Sequence, residues 1–155
     1  SHVQPLKQGR AITPPEHRLA MTRLLAAEDP RLSVDPIELE RGGLSFTIDT
    51  VRAYRAARPS AELILLLGED AAETLPHWKE PQAIAAEARL VVVTRGEPSA
   101  AKRPGAIPTE ALSARRVDIS STEIRARVGA GLSIRGFVPG SIAEYITQHR
   151  LYRTT

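Results

Sequence analysis

Two segments of the chain carry apolar residues at consecutive positions, without the alternation of a half-exposed strand. Residues 62–68 contain five consecutive apolar residues and stop at a glycine, and residues 89–95 are rich in β-branched residues. Such segments are typical of central strands in a parallel sheet, where both faces are covered. Residues 32–40 and 115–119 are weaker strand candidates, and Pro36 restricts the first of them to a sheet edge or a bulge.

Segments with helical periodicity alternate with these strands. Five helices are predicted: one that begins within residues 13–16, one from Ile48 to Pro59, one over residues 81–88, one that follows Ser121, and a last one over residues 142–149. Residues 95–113 contain three prolines and two glycines and predict a surface loop. The alternation predicts βαβ units in one α/β domain over residues 1–155, a Rossmann-like parallel sheet with helices on both faces.

Composition and charge narrow the classes of partner. Hydrophobic residues make up 42% of the chain and charged residues 25%, which is typical of a soluble globular protein, and no apolar run is long enough to span a membrane. Cysteine is absent, which excludes disulfides and thiolate metal sites and agrees with a cytoplasmic location. Aromatic residues are only 4% and do not interleave with basic residues, so we expect no nucleic-acid partner.

The positive charge is concentrated toward the C-terminus. Residues 1–94 carry 11 basic and 13 acidic side chains, whereas residues 95–155 carry 10 basic and 5 acidic ones. This bias favours an anionic ligand or, at similar odds, is only a solvated basic surface.

The segment Ser120-Ser121-Thr122 opens the predicted fourth helix. Ser120 and Glu123 have the spacing of a capping box, a spacing that recurs at Thr13/Glu16 and Ser141/Glu144. A cap alone is therefore routine in this chain. Three hydroxyl groups at one helix start, with Arg125 one turn later, also favour a bound anion such as phosphate.

Two further segments carry polar side chains at positions where ligands bind in such sheets. Gly68 permits a close turn after the first strong strand, and Asp70 is expected either to cap the next helix or to line a site. Trp78 is the only tryptophan, and the choice lies between a core residue and a platform for a flat heterocycle. Residues 41–51 contain a glycine pair and the hydroxyl side chains of Ser45, Thr47 and Thr50, which form either an ordinary helix start or a set of ligand donors.

The motifs EHRLAM, SFTIDTV, GEDAAETLPHWKEPQAI, LVVVTR, ISSTEIRARV and VPGSIAEYITQHRLY occur in this order. Together they closely resemble bacterial nicotinate-nucleotide adenylyltransferase, a nucleotidyltransferase, over almost the whole chain. The resemblance implies the nucleotidyltransferase fold and transfer of AMP from ATP, with Mg²⁺, to nicotinate mononucleotide, giving nicotinate adenine dinucleotide and pyrophosphate in NAD biosynthesis.

The resemblance also implies roles for particular residues. ATP would bind at Ser120, Ser121, Thr122, Arg125 and Arg95, with Arg125 and Ser121 in the catalytic roles. Trp78 would stack on the pyridine ring, and the other substrate-binding residues would be Thr47, Gly68, Asp70, Lys79 and Lys7.

The chain departs from the family pattern at its beginning. The family has a glycine-rich G-G-x-F-D-P-x-H-x-G-H segment, and no such segment occurs in this sequence. Residues 4–7 also lack the histidine of the family's P-P-H-K motif. We therefore expect the N-terminal strand–helix–strand unit to be missing from this chain, turnover to be near background, and the exposed sheet to favour homo-oligomers. Two alternatives stay open: a catalytically silent nucleotide-binding remnant, and a related enzyme such as phosphopantetheine adenylyltransferase.

Overall fold

The computed structural model describes residues 13–95 and 107–153, which cluster into two compact units. Of the described residues, the first unit contains residues 37–95 and 107–116, and the second combines residues 13–36 with residues 117–153. The strands are β1 (Ile64–Gly68), β2 (Arg89–Arg95) and β3 (Glu110–Ala114). The helices are α1 (Pro15–Ala26), α2 (Ile37–Arg41), α3 (Thr47–Ala57), α4 (Glu69–Thr74), α5 (Pro81–Glu87), α6 (Ser121–Gly129) and α7 (Gly140–Gln148), with a 3₁₀ turn at Leu75–His77.

The first unit is built on a parallel sheet with the strand order β1-β2-β3. Leu66 lies opposite Val91, and Val93 lies opposite Leu112. The crossover from β1 to β2 contains α4, the 3₁₀ turn and α5, as a parallel pair requires. The predicted α/β fold with a parallel sheet is confirmed, and so are the two strongest strand predictions.

One face of this sheet forms the core of the first unit. Leu67 and Leu90 point into a cluster that also contains Ile48 of α3, Leu75 of the 3₁₀ turn and Ile84 of α5. The last three side chains are fully buried. The apolar residues of α3 and α5 therefore lie where sequence periodicity predicts them, against the sheet.

The opposite face of the sheet exposes large apolar side chains. Ile64 and Leu66 of β1 are 49% and 61% exposed, and Leu112 of β3 is 51% exposed. The strand register places these residues on the same face. A strand with apolar side chains in contact with water favours association with a further chain.

The second unit is held together by α1 and α7. Ile134, Ile142 and Ile146 are its buried residues, and Met21 and Leu24 of α1 pack against them. At the edge of this cluster the Nδ1 atom of His17 lies 2.9 Å from the Oη atom of Tyr145. His149, the last residue of the predicted helix over residues 142–149, instead follows α7 and is exposed, with its ring beside that of Tyr145.

Three expectations about local structure are wrong. Residues 32–36 form no strand, and residues 37–41 form α2 because Leu, Glu and Arg favour a helix after a proline. Residues 115–119 form no strand, whereas Glu110–Ala114, within the predicted loop, pairs with β2. Backbone pairing with an existing strand outweighs the weak strand propensity of that segment.

Two of the three predicted capping boxes are also wrong. Helices α1 and α7 begin after Pro14 and Pro139, and neither helix has a side-chain cap. Thr13 instead donates a hydrogen bond to the Oη atom of Tyr152, and the Oγ atom of Ser141 has no hydrogen-bond partner in the described structure.

Among the described residues, no helix is both long enough and apolar enough to cross a membrane.

Candidate functional site

The start of α6 contains the one predicted cap that the structure confirms. Ser120 has an extended backbone, with φ −122° and ψ 144°, and its Oγ atom accepts a hydrogen bond of 3.1 Å from the backbone N–H of Glu123. The fourth predicted helix is thus confirmed, with Ser120 as its N-cap. This bond satisfies only one of the N–H groups that a helix start leaves without an intrahelical acceptor.

The remaining donors at this helix start are available to an anion. In the described part of the chain, the N–H groups of Ser121 and Thr122 have no acceptor. Arg125 donates to the Oγ1 atom of Thr122 at 3.3 Å and has no carboxylate partner in the same ranges. All these side chains are exposed. A helix dipole, free N–H groups and an unpaired guanidinium together favour phosphate at this end of α6.

The end of β1 differs from the sequence expectation. Gly68 ends the strand with φ −74° and ψ 161°, an extended conformation that other residues also adopt, so the backbone does not require a glycine there. Asp70 is exposed within the first turn of α4 and does not cap it, because α4 begins one residue earlier. The Asp70 carboxylate still interacts favourably with the helix dipole.

Trp78 follows the 3₁₀ turn in the first unit. Its indole Nε1 donates a 3.1 Å hydrogen bond to the Oγ1 atom of Thr74, and that hydroxyl donates to the carbonyl of Ala71. The indole packs against the core of the unit but is only partly buried. Trp78 therefore combines a core contact with partial exposure to solvent.

The hydroxyl side chains of residues 41–51 lie at or near the start of α3. Thr47 is the first residue of α3, whose N-terminus has no side-chain cap. Ser45 is 6% exposed, and its Oγ atom has no partner in the described structure. Thr50 differs, because its hydroxyl donates to Glu38 at 3.0 Å. The Thr50 hydroxyl is therefore already committed within the protein.

The Nζ atom of Lys79, a predicted substrate ligand, lies 3.1 Å from the Oδ1 atom of Asp49 and 4.9 Å from the centre of the Phe46 ring. The next residue, Glu80, pairs with Arg52 at 2.6 Å. This hydrogen bond holds the pKa of Glu80 below its ordinary value and raises the pKa of Arg52.

No local sequence pattern points to roles for Asp49, Arg52 or Glu80. The partners Asp49 and Lys79 are 30 positions apart, so no local pattern reveals the pair.

Two predicted ligands are not described by the structure. Lys7 lies outside the described residues. Arg95 ends β2, as predicted, but its side chain lies outside the described part. In that part, no group of three or more histidine or acidic side chains is arranged to hold a metal ion.

Similarity to known proteins defines the class to which this chain belongs. Residues 1–127 match the family model described as cytidylyltransferase-like. The structure is similar to Plasmodium falciparum nicotinic acid mononucleotide adenylyltransferase complexed with APC, with a TM-score of 0.70 and 18% sequence identity. The similarity covers 91% of this chain and 77% of that chain, and it supports the nucleotidyltransferase fold.

Relatives with higher sequence identity define the particular family. A probable nicotinate-nucleotide adenylyltransferase of Gemmatimonas aurantiaca is 47% identical over 97% of this chain and 74% of its own length. A probable nicotinate-nucleotide adenylyltransferase of Thermus thermophilus is 42% identical over 92% of this chain and 75% of its own length. The chain belongs to the cytidylyltransferase-like family and, within it, to the nicotinate-nucleotide adenylyltransferases, as the motifs predicted.

Proposed function

We propose that the protein transfers AMP from ATP to nicotinate mononucleotide, giving nicotinate adenine dinucleotide and pyrophosphate in the cytoplasm. Family membership supports the reaction, and the observation that carries the nucleotide half is the start of α6. There, free N–H groups and an unpaired Arg125 guanidinium occur together. In this reaction the phosphate oxygen of the mononucleotide bonds to the α-phosphorus of ATP, and pyrophosphate leaves.

Positioning and charge stabilisation are the proposed contributions of the protein, since such a transfer needs no covalent enzyme intermediate. The N–H groups of Ser121 and Thr122 and the Arg125 guanidinium would bind phosphate oxygens, while the Ser120 cap holds the first turn of α6 in place. Arg95, the last residue of β2, is a further proposed ATP-binding residue. Negative charge on the phosphates would be stabilised most where these donors are already fixed.

The mononucleotide would bind to the first unit. The partly exposed indole of Trp78 would stack on the pyridine ring, and the start of α3 near Thr47, which has no side-chain cap, would offer N–H donors for its carboxylate. Gly68 and Asp70 would line the same site, with Lys7 as a further ligand. Lys79 would act through its pair with Asp49, because that pair already engages its ammonium group.

Magnesium would enter with ATP. Mg²⁺ usually keeps several water ligands and binds through substrate phosphates and one or two carboxylates, so it does not need a cage of protein ligands. The described residues contain no group of three or more histidine or acidic side chains that could form such a cage. When bound, Mg²⁺ would neutralise phosphate charge.

Ligand titrations test this proposal on the 155-residue chain. We expect ATP to bind in calorimetric titrations, and nicotinate mononucleotide to quench the fluorescence of the single tryptophan. Arg125→Ala should weaken ATP binding by about 10- to 150-fold, because a hydrogen bond to a charged group contributes about 1.5–3 kcal/mol. Arg23→Ala, which changes an exposed arginine of α1, is the matched control and should bind ATP normally. A chain that binds neither ligand would refute the proposed function.

A further inference from the structure

The two residues that follow Trp78 are both ion-paired to one helix. Lys79 pairs with Asp49 at 3.1 Å, and Glu80 pairs with Arg52 at 2.6 Å. Asp49 and Arg52 are three positions apart on α3, so they lie on the same side of that helix. Helix α3 therefore contacts the turn of residues 78–80 at two consecutive side chains.

The backbone of this turn adopts a conformation that is rare for its residue type. Glu80 has φ 51° and ψ 56°, in the left-handed region, and directly precedes α5. A residue with a Cβ atom is disfavoured there and persists only where its surroundings hold it. Arg52 provides such a restraint, because it binds Glu80 and also reaches Glu87 of α5 at 3.3 Å.

The indole of Trp78 is restrained from its other side as well. Its Nε1 atom donates to Thr74, which ends α4. The ring thus lies between a hydrogen bond to the preceding helix and a backbone turn that α3 holds. An aromatic platform binds a flat ring more tightly when its orientation is fixed before the ligand arrives, since less side-chain entropy is lost on binding.

We propose that Asp49 and Arg52 are positioning residues, which hold the turn of residues 78–80 so that the Trp78 ring is pre-oriented for the flat ring of a pyridine mononucleotide. The inference rests on the proposed function, which assigns the stacking role to Trp78. Both ion pairs are partly exposed, with side chains between 31% and 46% accessible, so their restraint should weaken as salt rises.

The test uses Trp78 as its own reporter, because the chain has no other tryptophan. Arg52→Gln removes both pairs of Arg52, and Asp49→Asn removes the pair of Lys79. If the fraction of molecules with a competent ring orientation falls to between about a third and a tenth, the Kd for nicotinate mononucleotide rises about three- to tenfold. The fluorescence anisotropy of the free variant should fall, while the Kd for ATP stays unchanged.

Two further variants separate the pairing from a general loss of structure. Arg58→Gln changes another exposed arginine at the end of α3 and should leave mononucleotide binding and anisotropy unchanged. Exchanging the charges of the Asp49–Lys79 pair, with Asp49→Lys and Lys79→Asp together, should restore part of the binding that Asp49→Asn loses. High salt should reduce the difference between wild type and Arg52→Gln.

The outcomes distinguish the inference from the proposed function. If nicotinate mononucleotide does not quench wild-type fluorescence, the stacking role of Trp78 is wrong, and the positioning role falls with it. If quenching occurs but Arg52→Gln keeps both the wild-type Kd and the wild-type anisotropy, only the positioning role is wrong. Equal weakening of ATP and mononucleotide binding, with a lower Tm, would also overturn it by indicating a purely structural role.

Discussion

Replacing Ser120 with aspartate separates the two functions proposed for the start of α6. Ser120 caps the helix through its 3.1 Å hydrogen bond from Glu123. Aspartate caps helices about as well as serine, and its charge is favourable at a helix N-terminus. The Ser120→Asp variant therefore keeps the cap but places a negative charge where we propose that ATP phosphates bind.

The expected magnitudes differ in sign between folding and binding. The carboxylate should change the free energy of unfolding by about 0 to +1 kcal/mol, since a charge–dipole interaction contributes about 0.3–1 kcal/mol. A carboxylate about 5 Å from a phosphate charge is repelled by roughly 1–3 kcal/mol at effective dielectric constants between those of water and a protein surface. ATP binding should therefore weaken by about 5- to 150-fold.

Two measurements on three variants test whether the start of α6 binds an anion. Thermal unfolding should show a normal or raised Tm for Ser120→Asp, whereas Ser120→Ala should lose about 1 kcal/mol of stability with the cap. Calorimetric titration should show weaker ATP binding for Ser120→Asp. Ser33→Asp, which adds the same charge at another exposed serine of the second unit, should bind ATP normally. Wild-type ATP affinity in Ser120→Asp would refute an anion site at this helix start.

Three further predictions concern the first unit. Leu75→Ala, at a fully buried side chain, should cost about 2–5 kcal/mol in urea unfolding, and Leu75→Met less than about 1.5 kcal/mol; similar costs would mean that packing there is loose. The 155-residue chain should self-associate in light scattering through the exposed apolar face of its sheet, while Leu66→Lys, at a position 61% exposed, should shift it toward monomer; a wild type that is monomeric would contradict this. Because Arg52 lowers the pKa of Glu80, the ionised Glu80 carboxylate stabilises the fold above its ordinary pKa, and this stabilisation is lost as the pH falls through the lowered value. In Glu80→Gln, the urea midpoint of unfolding should therefore change less than in the wild type as the pH falls into the acid range. The same dependence of the midpoint on pH in both proteins would argue against the pair.

The sequence by itself determined the elements with a strong local pattern. Five consecutive apolar residues predict β1, and the β-branched run predicts β2, because such segments are typical of central strands in a parallel sheet, although one face of β1 is exposed in this structure. The Ser120 cap was also readable, since its bond spans only three positions. The ordered motifs identified the family, which the relatives confirm.

Tertiary structure decided the features that depend on partners distant in sequence. The segment of β3 is mostly exposed and has little strand propensity, so only its pairing with β2 makes it a strand. The pairs of α3 with Lys79 and Glu80 join residues about 30 positions apart, and the left-handed backbone of Glu80 follows no glycine signal. Short-range patterns set helices, caps and buried strands, whereas edge strands and side-chain pairing depend on chain segments that meet only after folding.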